Sequence, residues 1–293
     1  MKVFNYAGLS ALVMAVVLSG CTTIREKDTR QLDEKQVAEL ATLGARDFGI
    51  KWEGPMVGAG EHGVMAVTDG VTTLTTRAGA RIFIVHNRKQ FPPSDQMAYE
   101  GTDDEFKAIG TKLLRAAGAN KDEIADVNVL QQFTQSGETL PGGKVGKVLP
   151  PRRSHRTLMI SRRVAGVDVE SSHLLLNLDR AGHIAFMELA WPDISREVLD
   201  RVVRFRELID NKFAAPLLDG AEVESVQPVV LHTPAVGFHN DMTAAIRVIY
   251  RPNAKQVGQK AVRYVDEQGK DVDMPRVVDR LREEPVNRVE RKQ

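Results

Sequence analysis

Apolar residues recur along this chain in two rhythms, one with the 3.6-residue period of a helix and one with the two-residue period of a strand. A helical stretch begins at Asp33: Val37, Leu40, Ala41 and Leu43–Gly44 fall on one face, and Gly49 lies near the expected end. Alternation follows in Val64–Val67, Val71–Thr76 and Arg81–His86, with Asp69-Gly70 and Ala78-Gly79 as turn signals. Thr102-Asp103-Asp104-Glu105 then opens a second helix as a capping box, in which the hydroxyl and the glutamate satisfy free amides of the first turn. Its stripe is Phe106, Ile109, Leu113 and Leu114, and Gly118 stops it. Ile124–Phe133 alternates like a strand, and residues Gly137 to Pro151 form a Gly/Pro loop. Thr157–Val164, Val167–Leu178 and His183–Leu189 are three further strands, the last two joined by the turn Asp179-Arg180-Ala181-Gly182. A third helix, capped by Asp193-Ile194-Ser195, carries Val198, Val202, Phe205, Leu208 and Ile209 on one side and runs to about Lys212. Strands at Val223–His232, Met242–Tyr250 and Ala261–Val265 complete the pattern.

This order predicts an α+β fold of two or three tandem units, each with one helix packed on an antiparallel β-sheet. A helix laid across such a sheet buries the apolar face of both. The expected units are residues 36–100, 101–192 and 193–275, followed by a charged tail at 276–293.

The first twenty residues follow neither rhythm. Lys2 gives a positive start, Val3 to Leu18 is almost wholly apolar or small, and Leu18-Ser19-Gly20-Cys21 closes the segment. A basic start, a short apolar run and a small-residue end describe a signal peptide over residues 1–20. Leu-Ser-Gly-Cys resembles the lipobox of bacterial lipoproteins. That resemblance implies cleavage before Cys21, a diacylglycerol on its sulfur and an acylated new N-terminus, with residues 21–35 as a polar tether. Several acyl chains anchor firmly, at about 0.8 kcal/mol per buried methylene. Thr22, where an aspartate would signal inner-membrane retention, implies the outer membrane, facing the periplasm. The membrane is therefore one expected partner, reached through the lipid on Cys21.

Composition narrows the rest. Cys21 is the only cysteine, so no intramolecular disulfide competes for it. Of 40 basic and 39 acidic side chains only Lys2 precedes Cys21, leaving a balanced mature chain. Balance argues against non-specific nucleic-acid binding. Hydrophobic residues make up 42% of the chain, enough for a core despite few aromatics.

Motifs for chemistry are missing or out of context. There is no His-Glu-x-x-His, which removes the ligands of a zinc protease. Gly58-Ala-Gly-Glu-His-Gly63 matches the dinucleotide fingerprint, but β-branched residues follow it where the phosphate-binding helix should start, so it reads as a loop. Gly142-Gly-Lys-Val-Gly-Lys147 lacks the P-loop spacing and reads as a flexible loop. Seven histidines lie scattered, with no metal-ligand spacing among them. No cofactor, metal or catalytic residue is expected. Arg152, Arg153, His155, Arg156, Arg162 and Arg163 concentrate positive charge. They read as a solvated face, an acidic-partner surface or a protease-sensitive loop.

The stretch Val164 to Ile184 resembles the propeptide of fungalysin and thermolysin-type metalloproteases, through Gly166, Val167, Val169, Ser171 or Ser172, Leu174, Leu176, Leu178, Asp179 and Gly182. Ala244–Tyr250 and Arg263-Tyr-Val-Asp-Glu-Gln-Gly269 are similar to the PepSY strands that follow such propeptides. The resemblance spans about Thr102 to Asp273 and implies cystatin-like or PepSY-like units. The hairpin Gly166–Gly182, with Gly166, Val167, Val169, Asp179 and Gly182, is the expected interaction element. The expected function is a non-catalytic envelope lipoprotein that binds a protein or peptide partner and modulates an exported protease. The alternative is a structural or assembly lipoprotein of the outer envelope.

Overall fold

The structure is a computed structural model, and it describes residues 30–61, 63–77, 80–87, 99–134, 137–139, 145–150, 152–211, 221–234, 240–252 and 260–272. Cys21, the signal peptide and the charged tail lie outside the described residues. Three α-helices occur among those described, each starting at a capping residue. At α1 (Glu34–Phe48) the Asp33 carboxylate accepts from the Gln36 amide at 2.8 Å, and the Gln36 side chain accepts from the Asp33 amide in return. At α2 (Asp103–Ala116) Thr102 and Glu105 make the same exchange. At α3 (Arg196–Asp210) the Ser195 hydroxyl accepts from the Val198 amide.

The strands follow each helix in runs. The first holds β1 (Arg30–Gln31), which precedes α1, then β2 (Val57–Glu61), β3 (Val64–Thr68), β4 (Thr72–Arg77) and β5 (Ile82–Asn87). The second holds β6 (Ile124–Thr134), β7 (Gly137–Thr139), β8 (Val145–Val148), β9 (Arg152–Val164), β10 (Val167–Leu178) and β11 (Ile184–Ala190). The third holds β12 (Glu222–Pro234), β13 (Asn240–Arg251) and β14 (Ala261–Val265). The segment expected to be a Gly/Pro loop includes the two-stranded hairpin β7–β8, whose second strand takes up Val145–Val148.

The expected tandem units, each helix on its own antiparallel sheet in cystatin-like or PepSY-like fashion, are overturned. Among the described residues strand outweighs helix about two to one, and twelve strands hydrogen-bond into one mixed sheet, so the fold is β-rich. Two pairings join the runs. β5 meets β11 antiparallel from Ile82↔Ala190 to His86↔Phe186, and β10 meets β12 in parallel at Val169↔Val230 and Glu170↔Leu231. The reason is physical: separate sheets would each leave unpaired N–H and C=O groups along their edges, and joining them satisfies those groups. Alternation along a strand records which face is buried, and says nothing about which strand lies alongside.

The chain divides into two compact units, residues up to Gly166 with Ser172–Asp193, and Val167–Ser171 with Ile194 onward. In the first, α1 lies on β2–β4 and α2 on β6 and β9, over a core that includes Leu74, Phe106, Leu114, Leu158, Leu174, Met187 and Trp191. The contact of α2 with the sheet is close. A Cβ on Gly110 would stand 2.2 Å from Leu158 Cδ2, which is why glycine occupies the middle of an otherwise regular helix. Gly58 of β2 plays the same part beneath Leu32 and Val37, whose side-chain atoms would lie 2.9 and 2.8 Å from its Cβ. In the second unit, Val202 and Phe205 of α3 are buried where the helix meets β12 and β13. Val229, Leu231 and Ala245 form a further cluster with Tyr264 and Val272.

Candidate functional site

Among the described residues β6 is hydrogen-bonded on one flank only, to β9, in register from Ile124↔Arg162 to Thr134↔Arg152. Irregularities between Ile124 and Val127 and between Gln132 and Phe133 interrupt the ladder. At the first the Asp126 amide donates to Ser161 Oγ at 3.1 Å, and at the second the extra residue lies on β9, so β6 itself keeps its alternation. Beyond the first the strand reads Val127-Asn-Val-Leu-Gln-Gln-Phe-Thr134, without a charge, a proline or a glycine. Val127 and Val129 are half-buried against the core, whereas Leu130 is 51% exposed and Phe133 60%. Met159 of β9, 37% exposed, stands opposite Asn128, which makes it the diagonal neighbour of Leu130 on the same face. Phe133 lies on the other face, in step with Val127 and Val129. A long edge with free backbone groups and apolar side chains is a template for another strand, and proteins that do not use such edges blunt them. Chemically, the arrangement can accept an extended peptide by β-augmentation.

The hairpin that presents this edge is held from behind by two buried arginines. Arg162 donates through Nε to Glu123 Oε2 at 2.8 Å and through Nη1 to the Pro192 carbonyl at 2.6 Å. Its guanidinium lies 5.2 Å from the centre of the Trp191 ring, and the indole Nε1 donates to the same Glu123 oxygen at 3.0 Å. Burial pushes the Arg162 pKa below its ordinary value, against the opposing pull of Glu123. Arg156 donates to the carbonyls of Tyr99 and Gly101, pairs with Asp103, and lies over the rings of Tyr99 and Phe106. Two members of the basic concentration are therefore internal struts, which neither a solvated face nor a partner surface describes. Arg163 is exposed, and the side chains of Arg152, Arg153 and His155 lie outside the described residues.

The residues singled out from the sequence sit at opposite ends of β10. Ala165 and Gly166, with φ of 51° and 77°, make the two-residue turn from β9 into β10. Val167 and Val169 are buried, at 2% and 4% exposure. Asp179 accepts from the His183 amide at 2.7 Å in the turn to β11, where Gly182 has φ of 84°. The valine side chains are committed to the interior, and the other three residues shape turns. The open flank of β6 was not singled out, although its uncharged run between Asp126 and the Gly/Pro segment was a visible signal.

Nothing in the described residues gathers three metal-ligating side chains. His173 faces Glu188 at 3.5 Å, His183 faces Asp179 at 3.3 Å, and buried His232 approaches the Ser171 carbonyl at 3.1 Å through Nδ1. Of the glycine motif, Gly58–Glu61 lie in strand β2 rather than in a loop, and the next described element, from Val64, is strand β3 and not a helix. Among the described residues no helix is long and apolar enough to cross a membrane.

No family model matches this sequence, and no curated protein matches it. Among solved structures, the chain is similar to an uncharacterized protein from Eubacterium rectale ATCC 33656, at 10% identity over 85% of each chain and a TM-score of 0.36. A likeness of that size carries no argument about either molecule.

Proposed function

We propose that this chain is a non-catalytic lipoprotein of the bacterial envelope that binds a protein or peptide partner, and that the partner adds a strand to β6. Cys21 is the proposed lipid-bearing residue, anchoring the chain to the outer membrane on its periplasmic side. The observation that carries the binding reading is the uncharged flank Val127–Thr134, with Leu130, Phe133 and Met159 exposed around it. Main-chain hydrogen bonds supply affinity in such a complex, and side chains at alternate positions supply selectivity. The propeptide resemblance makes an exported metalloprotease the partner class to test first.

The test is a crosslinking pull-down from envelopes with the full chain and with a Leu130→Lys/Phe133→Lys variant. Recovery of an exported metalloprotease by the parent chain, its loss with the variant, and a change in its activity on adding the chain support the proposal. Equal recovery by both forms removes β6 from it. Recovery of only outer-membrane assembly or cell-wall components moves the function to the structural alternative.

A further inference from the structure

The open flank of β6 also fits itself. Let two copies meet antiparallel with Leu130 on the two-fold axis. Leu130 then stands opposite Leu130 of the second copy, Val127 opposite the second copy's Phe133, and Val129 opposite its Gln131. Directly opposed apolar pairs are the stabilising unit of an antiparallel ladder. Met159 lies diagonal to Leu130 on the same face, so Leu130 and Met159 from both copies gather on one side of the axis. On the other side two Val127–Phe133 contacts form. Asp126, the one charged residue of β6, falls opposite position 134 rather than its own counterpart, so no like charges are opposed. A one-residue slip would set outer-face positions against inner-face ones and break both the Leu130–Leu130 and the Val127–Phe133 pairings.

We propose that β6 pairs with β6 of a second copy in this register, and that the dimer is the closed form of the binding edge. The inference rests on the reading of β6 as a strand acceptor and adds its regulation: self-pairing and a partner strand need the same backbone groups, so they exclude one another. Such a contact is isologous and closes on itself, so β6 is not left open to a third chain.

The experiment places one cysteine at a time in the full chain carrying Cys21→Ala, which makes the introduced thiol the sole one. Leu130→Cys on the axis faces its own counterpart at about 5 Å between Cβ atoms, close to bridging distance. Asn128→Cys is about 13 Å along the strands from its own. Leu130→Cys is expected to form covalent dimers on oxidation at least tenfold faster than Asn128→Cys. Sedimentation of the Cys21→Ala chain is expected to show a monomer–dimer equilibrium that Leu130→Lys shifts to monomer. Equal oxidation rates, or a monomer at every concentration, overturn the inference. If partner capture still depends on Leu130 and Phe133 in that case, the strand-acceptor reading stands alone. If capture is insensitive too, both fall.

Discussion

Two strands of this protein end a ladder in opposite ways. β14 is five residues long, and its surroundings are charged: Lys260 pairs with Glu224 at 2.6 Å and Arg263 with Asp271 at 2.7 Å. Lys260, and after it Arg251, hold the Glu224 carboxyl below its usual range. The chain then returns along the free side of β14, where the Val272 amide donates to the Tyr264 carbonyl at 2.8 Å. β6 is eleven residues long, carries one acid, and shows apolar side chains. Short length, charge and a covering segment are the devices that keep an edge from recruiting other chains. β14 has all three, whereas β6 is long, bears a single charge at Asp126 and has no covering strand among the described residues. This difference supports the proposal that β6 is an edge for pairing.

The largest expected effect tests what keeps β6 in place. Arg162→Met leaves Glu123 and the Pro192 carbonyl without their buried cation. Removing one partner of a buried pair costs about 3–5 kcal/mol. Chemical denaturation should show a loss in that range, and hydrogen exchange should show β6 amides deprotected before those of β13. A loss below about 1 kcal/mol would mean that the hairpin is held by other contacts. Gly110→Ala should follow at about 1–3 kcal/mol, because the added methyl collides with Leu158 and overpacks the seam between α2 and β9.

These two residues also show what a sequence can and cannot disclose. The helices were legible because caps and stripes are local: Asp33, Thr102 and Ser195 each open a helix where their spacing says. Most strands were legible for the same reason. Gly110 carries no local signal of its role, since the Leu158 side chain that demands it lies 48 positions away. Arg162 and Arg156 looked like surface charge, since Glu123, Pro192, Tyr99 and Asp103 reach them only after folding. Gly58 and Gly60 disguised β2 as a loop, because the side chains packed on them come from Leu32 and Val37. The joining of β5 to β11 and of β10 to β12 left no trace in alternation. The candidate edge was legible only in part: the uncharged run of β6 shows in the sequence, but that β9 is its one partner among the described residues does not.

A turn of the first unit provides a reference for ordinary hairpin stability. Between β3 and β4 the Asp69 carboxylate accepts from the amides of Glu53 at 2.7 Å, Val71 at 2.9 Å and Thr72 at 2.7 Å. Desolvation acts to raise the Asp69 pKa, but these amides outweigh it and hold the carboxyl below its usual value. A depressed folded pKa contributes stability that is full above the unfolded value of about 3.9 and is lost as pH falls through the folded one. Asp69→Asn should cost about 1–2 kcal/mol at neutral pH. The cost should shrink as pH falls from about 4 through the depressed folded pKa, below which the parent carboxyl is neutral too. A pH-independent difference in denaturant midpoint would contradict the charge-based account.

The smallest effects on stability carry the sharpest test of the contrast. Arg263→Ala removes a surface ion pair whose acid is 64% exposed, and such pairs contribute less than about 1 kcal/mol. It should leave association unchanged, because the return of the chain at Val272 still covers β14. Leu130→Lys, at a half-exposed position, should shift stability by no more than about 0.5 kcal/mol. Yet it should abolish association through β6, because a lysine on an edge strand blocks a neighbouring chain while remaining solvated in the monomer. The two measurements on Leu130→Lys therefore have to separate. If it instead cost several kcal/mol, Leu130 would be part of the interior of the protein as it exists. β6 would then be a covered edge like β14, guarded by burial where β14 is guarded by charge, and the contrast between them would vanish.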